Sequence, residues 1–445
     1  MRGDLADVTL WRARFVVLAY AVMAGVSVVV FTWATELALD GFERVREVDP
    51  LLPLLWTPAW TALIAWLTLR YVPGASGSGI PQVMAALHPS VREEQVPLFV
   101  SLRMSAAKLV LTAGALLGGL AVGREGPSVQ IAAGVMLGAR RWLPKQSALT
   151  SQGLLVAGGA AGIAAAFNAP LAGVMFAIEE FTRKIEHQSS GLIITAIVLA
   201  GLVGVSAFGN QTYFGVIRVP ALPTSFILPG LLVVIAGGLL GGLFARGLHA
   251  VLVRPRGGRL QDYRRAHPVR FAAACGMAVA ILGVLSDGAS FGSGYEQTRG
   301  MIDENASVPA LYVLLRMLAT WLAAWSGVPG GIFAPSLAIG AGIGHDVAIL
   351  SGWTTEAPAL IALGMTAFLA AVTQTPLTAF IIVMEMVDGH AMVLSLMAAA
   401  LGASLVSRWI SRPLYQVLAQ AQLERAFPPE PPQAEAARQP ESAKP

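Results

Sequence analysis

The sequence predicts an all-α polytopic membrane protein whose broken and tilted helices form two related halves. Three observations carry that expectation: scarcity of charge, long charge-free runs broken by Gly and Pro, and motifs that recur roughly 206 residues apart. Of 445 residues only 13% are charged, 55% are hydrophobic, and the mean hydropathy is +0.66. An ordinary soluble domain is about 25% charged, so a multi-domain soluble enzyme is disfavoured. Disordered chains are poor in apolar residues, which excludes disorder for most of the length. The single cysteine, Cys275, excludes an internal disulfide framework, an iron–sulfur site and a zinc site built mainly from thiolates.

Taken in order, residues 1–14 carry Arg2, Arg12 and Arg14 and precede a charge-free run at 15–35. That run is long for a signal-peptide core and no small-x-small cleavage site follows, so it is expected to remain as a span. Residues 36–50 are acidic. Further charge-free runs cover 51–69, 146–178, 188–217, 219–245, 317–344 and 357–384. A bilayer-spanning helix needs about 20 apolar residues. Yet Pro53, Pro58, Pro127, Pro170, Pro329, Pro335 and Pro376 interrupt apolar stretches. Broken helices are tolerated at membrane depth only where buried in protein or lining a cavity, which points to a solute path.

The 246–270 linker holds seven arginines against Asp262, whereas 287–304 is acidic. Lys and Arg concentrate in cytoplasmic loops. Both termini and the 246–270 linker are therefore expected in the cytoplasm, and the acidic segments outside. The net charge of +4 reads as a topology signal and calls for no nucleic-acid partner. Residues 424–445, with six prolines, are expected to be a disordered cytoplasmic tail. No soluble regulatory domain is expected at either end.

The stretch from Gly158 to Glu179, containing Pro170-Leu171, aligns without a gap on Gly364 to Glu385, containing Pro376-Leu377. Upstream, Gly123-x-x-x-Pro127-Ser128 matches Gly331-x-x-x-Pro335-Ser336, and Gly77-Ser78-Gly79 echoes weakly in Gly292-Ser293-Gly294. The expected halves are 15–217 and 218–423. Repeats with Gly/Pro-broken segments at matching places point to a site where the halves meet. Helix N-termini converging there would present free N–H groups and positive partial charge, which suits an anion.

Three motifs supply such ends: Gly77-Ser-Gly-Ile-Pro81, Gly123-Arg-Glu-Gly-Pro127 and Gly331-Ile-Phe-Ala-Pro335. Close helix packing is the plain reading of any one alone. Glu125 lies between the charge-poor runs 109–123 and 126–139 with only Arg124 beside it. An intramembrane carboxylate is expensive and by default functional; the plain alternative is an ion pair with Arg124.

These motifs, in this order, resemble the signature set of the CLC family of chloride channels and chloride/proton antiporters, together with a later tyrosine, Tyr415. The resemblance spans about residues 15–420. It implies that the hydroxyls of Ser78 and Tyr415 and the backbone N–H groups of Ile332 and Phe333 hold a central chloride. Backbone N–H groups around Arg124 to Gly126, and those of Phe333 and Ala334, would line an outer position. Apart from the resemblance, Ser78 reads as a helix cap and Tyr415 as an interfacial anchor. The resemblance makes Glu125 the gate, whose protonation frees the anion path, and Glu180 an internal proton-transfer acid. The plain reading of Glu180 is a solvated acid or a partner of Arg183 or Lys184. Glu179, matched by Glu385, is expected to be structural.

Lys108 and Arg316 are isolated cations that either raise the potential along an anion path, snorkel, or pair structurally. Gln82, Val83 and Met84 stand where the family often has acids, which touches the internal proton route and leaves the anion ligands unaffected. The expected function is chloride/proton exchange, with a passive chloride channel as the alternative and a fluoride/proton antiporter behind it. A Gly-x-Ser-Gly pattern at 74–77 raises an intramembrane serine protease, but the only nearby histidines, His345 and His390, lie at the ends of apolar runs. The resemblance further implies a non-enzymatic homodimer of prokaryotic type in the plasma (bacterial inner) membrane. No metal and no cofactor other than transported chloride is expected.

Overall fold

A computed structural model describes residues 8–144, 149–181, 190–209, 212–217, 224–253, 258–303 and 308–428. The described residues form eighteen α-helices and no strand beyond isolated bridges. The first half holds α1 Val8–Val48, α2 Pro53–Tyr71, α3 Ile80–Ala86, α4 Leu102–Leu117, α5 Glu125–Leu137, α6 Ser151–Ala166, α7 Pro170–Phe176 and α8 Ser190–Phe208. Next come α9 Ile227–Leu252, a short polar helix α10 Arg259–Ala266, α11 Pro268–Leu285, α12 Tyr295–Ile302 and α13 Tyr312–Trp325. The chain closes with α14 Phe333–Ser351, α15 Ala357–Thr373, α16 Pro376–Met386, α17 Val393–Arg408 and α18 Leu414–Ala426.

Seven helical segments of the described residues are long and apolar enough to cross a membrane. The chain is a multi-pass membrane protein. The 146–178 run, read as one charge-free stretch, divides into α6 and α7 because Pro170 cannot continue a helix and instead starts the next one. Pro376 starts α16 in the same way. Helices α6 and α15 are buried along almost their whole length, as apolar helices at the centre of a bundle must be.

The packing order of the first half recurs in the second. Helix α5 packs on α6, α6 on α8 and α8 on α1; likewise α14 packs on α15, α15 on α17 and α17 on α9. The halves also exchange bonds reciprocally. Glu179 accepts from the backbone N–H groups of Leu377 (3.2 Å) and Thr378 (2.7 Å) at the start of α16. Glu385 accepts from Leu171 (3.2 Å) and Ala172 (2.6 Å) at the start of α7. Each carboxylate thus satisfies orphan donors of the other half's helix, where the dipole favours negative charge. Such an exchange is what a two-fold relation between the halves produces.

Candidate functional site

The three Gly/Pro motifs meet on one seam. Gly123 and Gly331 exchange both backbone hydrogen bonds, at 2.7 and 2.8 Å. Gly77 donates to Val328 O (3.3 Å) and accepts from Gly330 N–H (3.2 Å). The loops leading into α3, α5 and α14 are thereby laced together, and the N-termini of α5 and α14 open beside each other. Arg124 precedes α5, whose first turn holds Glu125 and Gly126; Ile332 precedes α14, whose first turn holds Phe333 and Ala334. Ile332, Phe333 and Ala334 are all buried. A Cβ on Gly126 would collide with Ser78 Oγ, so only glycine lets that hydroxyl reach the α5 terminus.

Ser78 and Tyr415 are buried, Tyr415 with 1% of its surface exposed, so the interfacial-anchor reading fails. Their hydroxyls lie close to one another, yet neither meets a partner in hydrogen-bonding geometry. Buried hydroxyls normally find partners, and two adjacent orphans form a donor pair suited to an anion. Ser78 does not cap α3. Gln82 does that work: its Oε1 accepts from Gly79 N–H at 2.9 Å, while its Nε2 donates to Ser76 O at 2.5 Å. Ser76, the serine of the protease-like pattern, donates to Gly327 O at 2.6 Å and ties two loops together.

Glu125 is fully buried. Its carboxylate lies against the backbone N–H groups of Glu125 itself and Ala334, and Oε2 rests where a Cβ on Gly123 would be. The ion pair weighed between Glu125 and Arg124 does not form. Arg124 instead donates to Glu36 Oε1 at 3.0 Å and to Tyr213 Oη at 3.4 Å. Tyr213 in turn donates to Glu125 Oε1 at 3.4 Å. Beyond this chain lies a cavity of about 380 Å³, lined by Glu36, Asp40, Arg124, Tyr213, Tyr295 and Glu296 among others.

Glu180 sits with Glu179 on a π-helical turn, Ala177–Phe181, that continues α7. Such turns are rare and cluster at functional sites. Glu180 is half-buried, and Tyr415 lies within electrostatic reach of both Glu180 and Glu125. Arg183 and Lys184, the alternative partners of Glu180, lie outside the described residues. In the other half Met386, fully buried, stands where Glu180 stands in the first, so only one half carries this acid.

Lys108 and Arg316 are fully buried, which overturns the snorkelling alternative. Lys108 Nζ donates to Ala75 O (2.8 Å) and Gly77 O (2.5 Å). Arg316 donates to Phe291 O (2.8 Å) and Gly292 O (2.7 Å). Both cations grip the carbonyls of a Gly-Ser-Gly loop, one in each half. Cys275 is buried in α11 as packing. Tyr213 and Gln82 were not recognised as site residues in the sequence. Tyr213 lies in the charge-free run 188–217 with no motif around it, and Gln82 registered only as a missing acid.

Helix starts, orphan hydroxyls and a buried carboxylate meet at one seam inside a bundle of long apolar helices, and the whole is an integral membrane protein. A family model described as voltage gated chloride channel matches residues 60–408. The chain belongs to this family, the CLC proteins, as the three motifs led one to expect. It is 31% identical over 418 residues to a protein from Cronobacter sakazakii named H(+)/Cl(-) exchange transporter ClcA, covering 89% of this chain and 87% of that one. A ClcA of the same name from Citrobacter koseri is 31% identical over 450 residues, covering 94% and 91%. The crystal structure of a slow cyanobacterial Cl-/H+ antiporter superposes with a TM-score of 0.80 at 26% identity, covering 93% of this chain and 98% of that one.

Proposed function

We propose that the protein is a secondary active transporter that exchanges chloride for protons. The observation that carries the reading is the pair of adjacent unpartnered hydroxyls, Ser78 and Tyr415, with Tyr415 in electrostatic reach of both Glu125 and Glu180. Hydroxyl and backbone donors replace an anion's hydration shell without the deep well that a full positive charge would create. Chloride is held between Ser78, Tyr415 and the N–H groups of Ile332 and Phe333, with the outer position lined by Arg124 to Gly126, Phe333 and Ala334. An ionised Glu125 competes with chloride for that outer position. Protonation removes the competing charge, so one group links proton binding to anion movement. Glu180, half-buried and within electrostatic reach of Tyr415, supplies the internal proton. The relatives' names, both exchange transporters, favour this reading over a passive channel. Ser78 and Tyr415 favour chloride over fluoride as the transported anion.

The residue ranges 15–217 and 218–423 are the two halves, of opposite topology, and the protein works as a homodimer in the bacterial inner membrane. Both termini and the 246–270 linker face the cytoplasm by the arginine count. The acidic segments 36–50 and 287–304 then face outside, so the cavity bounded by Glu36 and Glu296 is the outer mouth. Transport proceeds as ion movement without bond-making chemistry, and it uses no cofactor besides its cargo. The deciding experiment places the protein in sealed proteoliposomes with a chloride gradient and no ionophore. Proton movement against its own gradient, driven by chloride, is expected. Chloride flux without coupled protons would establish the channel instead.

A further inference from the structure

The gate carboxylate does not open directly onto the outer cavity. Arg124 and Tyr213 line that cavity, and Glu125 does not; it is fully buried behind them. The Tyr213 ring packs edge-on against Phe167, with centroids 5.9 Å apart, and against Tyr295 at 5.0 Å. Phe167 packs in turn on Phe333 at 5.5 Å, at the start of α14. The short segment holding Tyr213 is pinned to the end of α16: Phe214 N–H donates to Met386 O at 3.0 Å and Ile217 N–H to Val387 O at 2.9 Å. Tyr295 Oη adds a bond to the Tyr213 carbonyl at 3.0 Å. The tyrosine is therefore held over the gate by both halves of the molecule.

Hydrogen-bond polarity then fixes what its hydroxyl does. A guanidinium has donors only, so in the 3.4 Å contact with Arg124 the Tyr213 oxygen must accept. Its own proton is left for Glu125 Oε1, also at 3.4 Å. Arg124 is turned away from the Glu125 carboxylate, paired with Glu36 at 3.0 Å and lying 5.8 Å from the Tyr213 ring centroid. Arg124 thus donates to Glu36 on one side and to Tyr213 on the other, and Tyr213 passes its own proton donation on to Glu125 at the gate.

We propose that Tyr213 is the outer latch of the Glu125 gate, its hydroxyl holding the ionised carboxylate seated while its ring closes the way to the outer cavity. The inference rests on the exchanger reading above. A hydrogen bond to a carboxylate is roughly twice as strong as one to the neutral acid. Protonation of Glu125 therefore weakens the latch at the moment the gate must leave its seat. The charged and titratable groups facing Glu125 are Arg124 beside it, Tyr213 from the segment before α9, Tyr415 from α18 and, through Arg124, Glu36 from α1. Of these, Tyr213 is the one whose side chain donates directly to the carboxylate.

The test compares chloride/proton exchange by the unsubstituted protein, Tyr213→Phe and Tyr213→Ala in oriented proteoliposomes, varying outer and inner pH separately. Tyr213→Phe keeps the ring and loses the donor to the ionised carboxylate, so release should set in at higher outer pH, by roughly half a unit to one unit. The dependence on inner pH should stay where it is. Tyr213→Ala should show the same shift and a maximal turnover several-fold higher, since the ring is gone as well. If Tyr213→Ala does not fold, Tyr213→Phe alone carries the comparison. Superimposable outer-pH profiles for Phe and Tyr, or equal shifts on both sides, would overturn the latch. Absence of chloride-driven protons in the unsubstituted protein would instead overturn the exchanger reading beneath it, so the two failures are told apart.

Discussion

Replacing Gly123 by Ala moves the Glu125 carboxylate without removing the acid. Gly123 does not have a positive φ, so the backbone accepts the substitution. The new methyl, however, would run into Glu125 Oε2, and it would lie 3.1 Å from both Ala334 Cβ and Pro335 Cδ. Those two carbons sit on the first turn of α14, and Gly123 itself is tied to Gly331 by bonds of 2.7 and 2.8 Å. The carboxylate is the neighbour that can yield. Overpacking of this kind costs about 1–3 kcal/mol, which at ~1.4 kcal/mol per factor of ten lowers occupancy of the seat roughly 5- to 150-fold. The expected phenotype is faster chloride efflux with fewer protons moved per chloride, read with chloride and pH electrodes on the same proteoliposomes. Combining Gly123→Ala with Glu125→Gln should add nothing to Glu125→Gln alone, because both act on one seat. Wild-type coupling and turnover in a folded Gly123→Ala protein would refute the placement of the carboxylate over Gly123.

Glu125→Gln removes the titrating group and should leave chloride flux with no coupled protons; proton movement at the unsubstituted rate in that variant would show that the gate lies elsewhere. Glu180→Ala should retain chloride flux and lose most of its proton flux in the same vesicles, and intact coupling would return Glu180 to a structural role. Arg316→Met strands the carbonyls of Phe291 and Gly292 in a buried setting, at about 1–3 kcal/mol each. Thermal unfolding in detergent should show that loss as a lowered midpoint, with Arg316→Lys recovering part of it, since Lys108 holds the matching Gly77 carbonyl in the other half. Equal midpoints for Met and Arg would mean the carbonyls find other partners.

Much of the scaffold was legible because its signals are local. Charge-free runs and their prolines are properties of consecutive residues, and Pro170 and Pro376 start helices in the structure as their chemistry requires. The family was legible because Gly77 to Pro81, Gly123 to Pro127 and Gly331 to Pro335 are contiguous motifs. What the sequence withheld is contact between distant residues. Tyr213 meets Glu125 across 88 positions, and Arg124 chooses Glu36, also 88 positions away, over its immediate neighbour. Nothing in a pattern of spacings distinguishes those pairs from others equally remote. Lys108 and Arg316 were recognisable as isolated cations, but their partners are carbonyls, which every residue carries and which leave no mark on composition.

The two Gly-Ser-Gly loops employ their serines differently, which bears on the proposed anion site. In the second half Arg316 grips the loop, and Ser293 Oγ accepts from Tyr295 N–H at 3.3 Å, the ordinary employment of a serine ahead of a helix. In the first half Lys108 grips the matching loop, but Gln82 Oε1 takes the Gly79 N–H at 2.9 Å. Ser78 Oγ, unlike Ser293 Oγ, meets no backbone donor and remains unpartnered beside Tyr415. An acid at position 82 could accept from Gly79 N–H as well, but it could not also donate to Ser76 O, which Gln82 Nε2 does. The glutamine thus fixes the loop from both sides of Ser78. The departure from the family's acids at this position is therefore compatible with the proposed anion ligands, since Gln82 bonds only to the backbone on either side of Ser78.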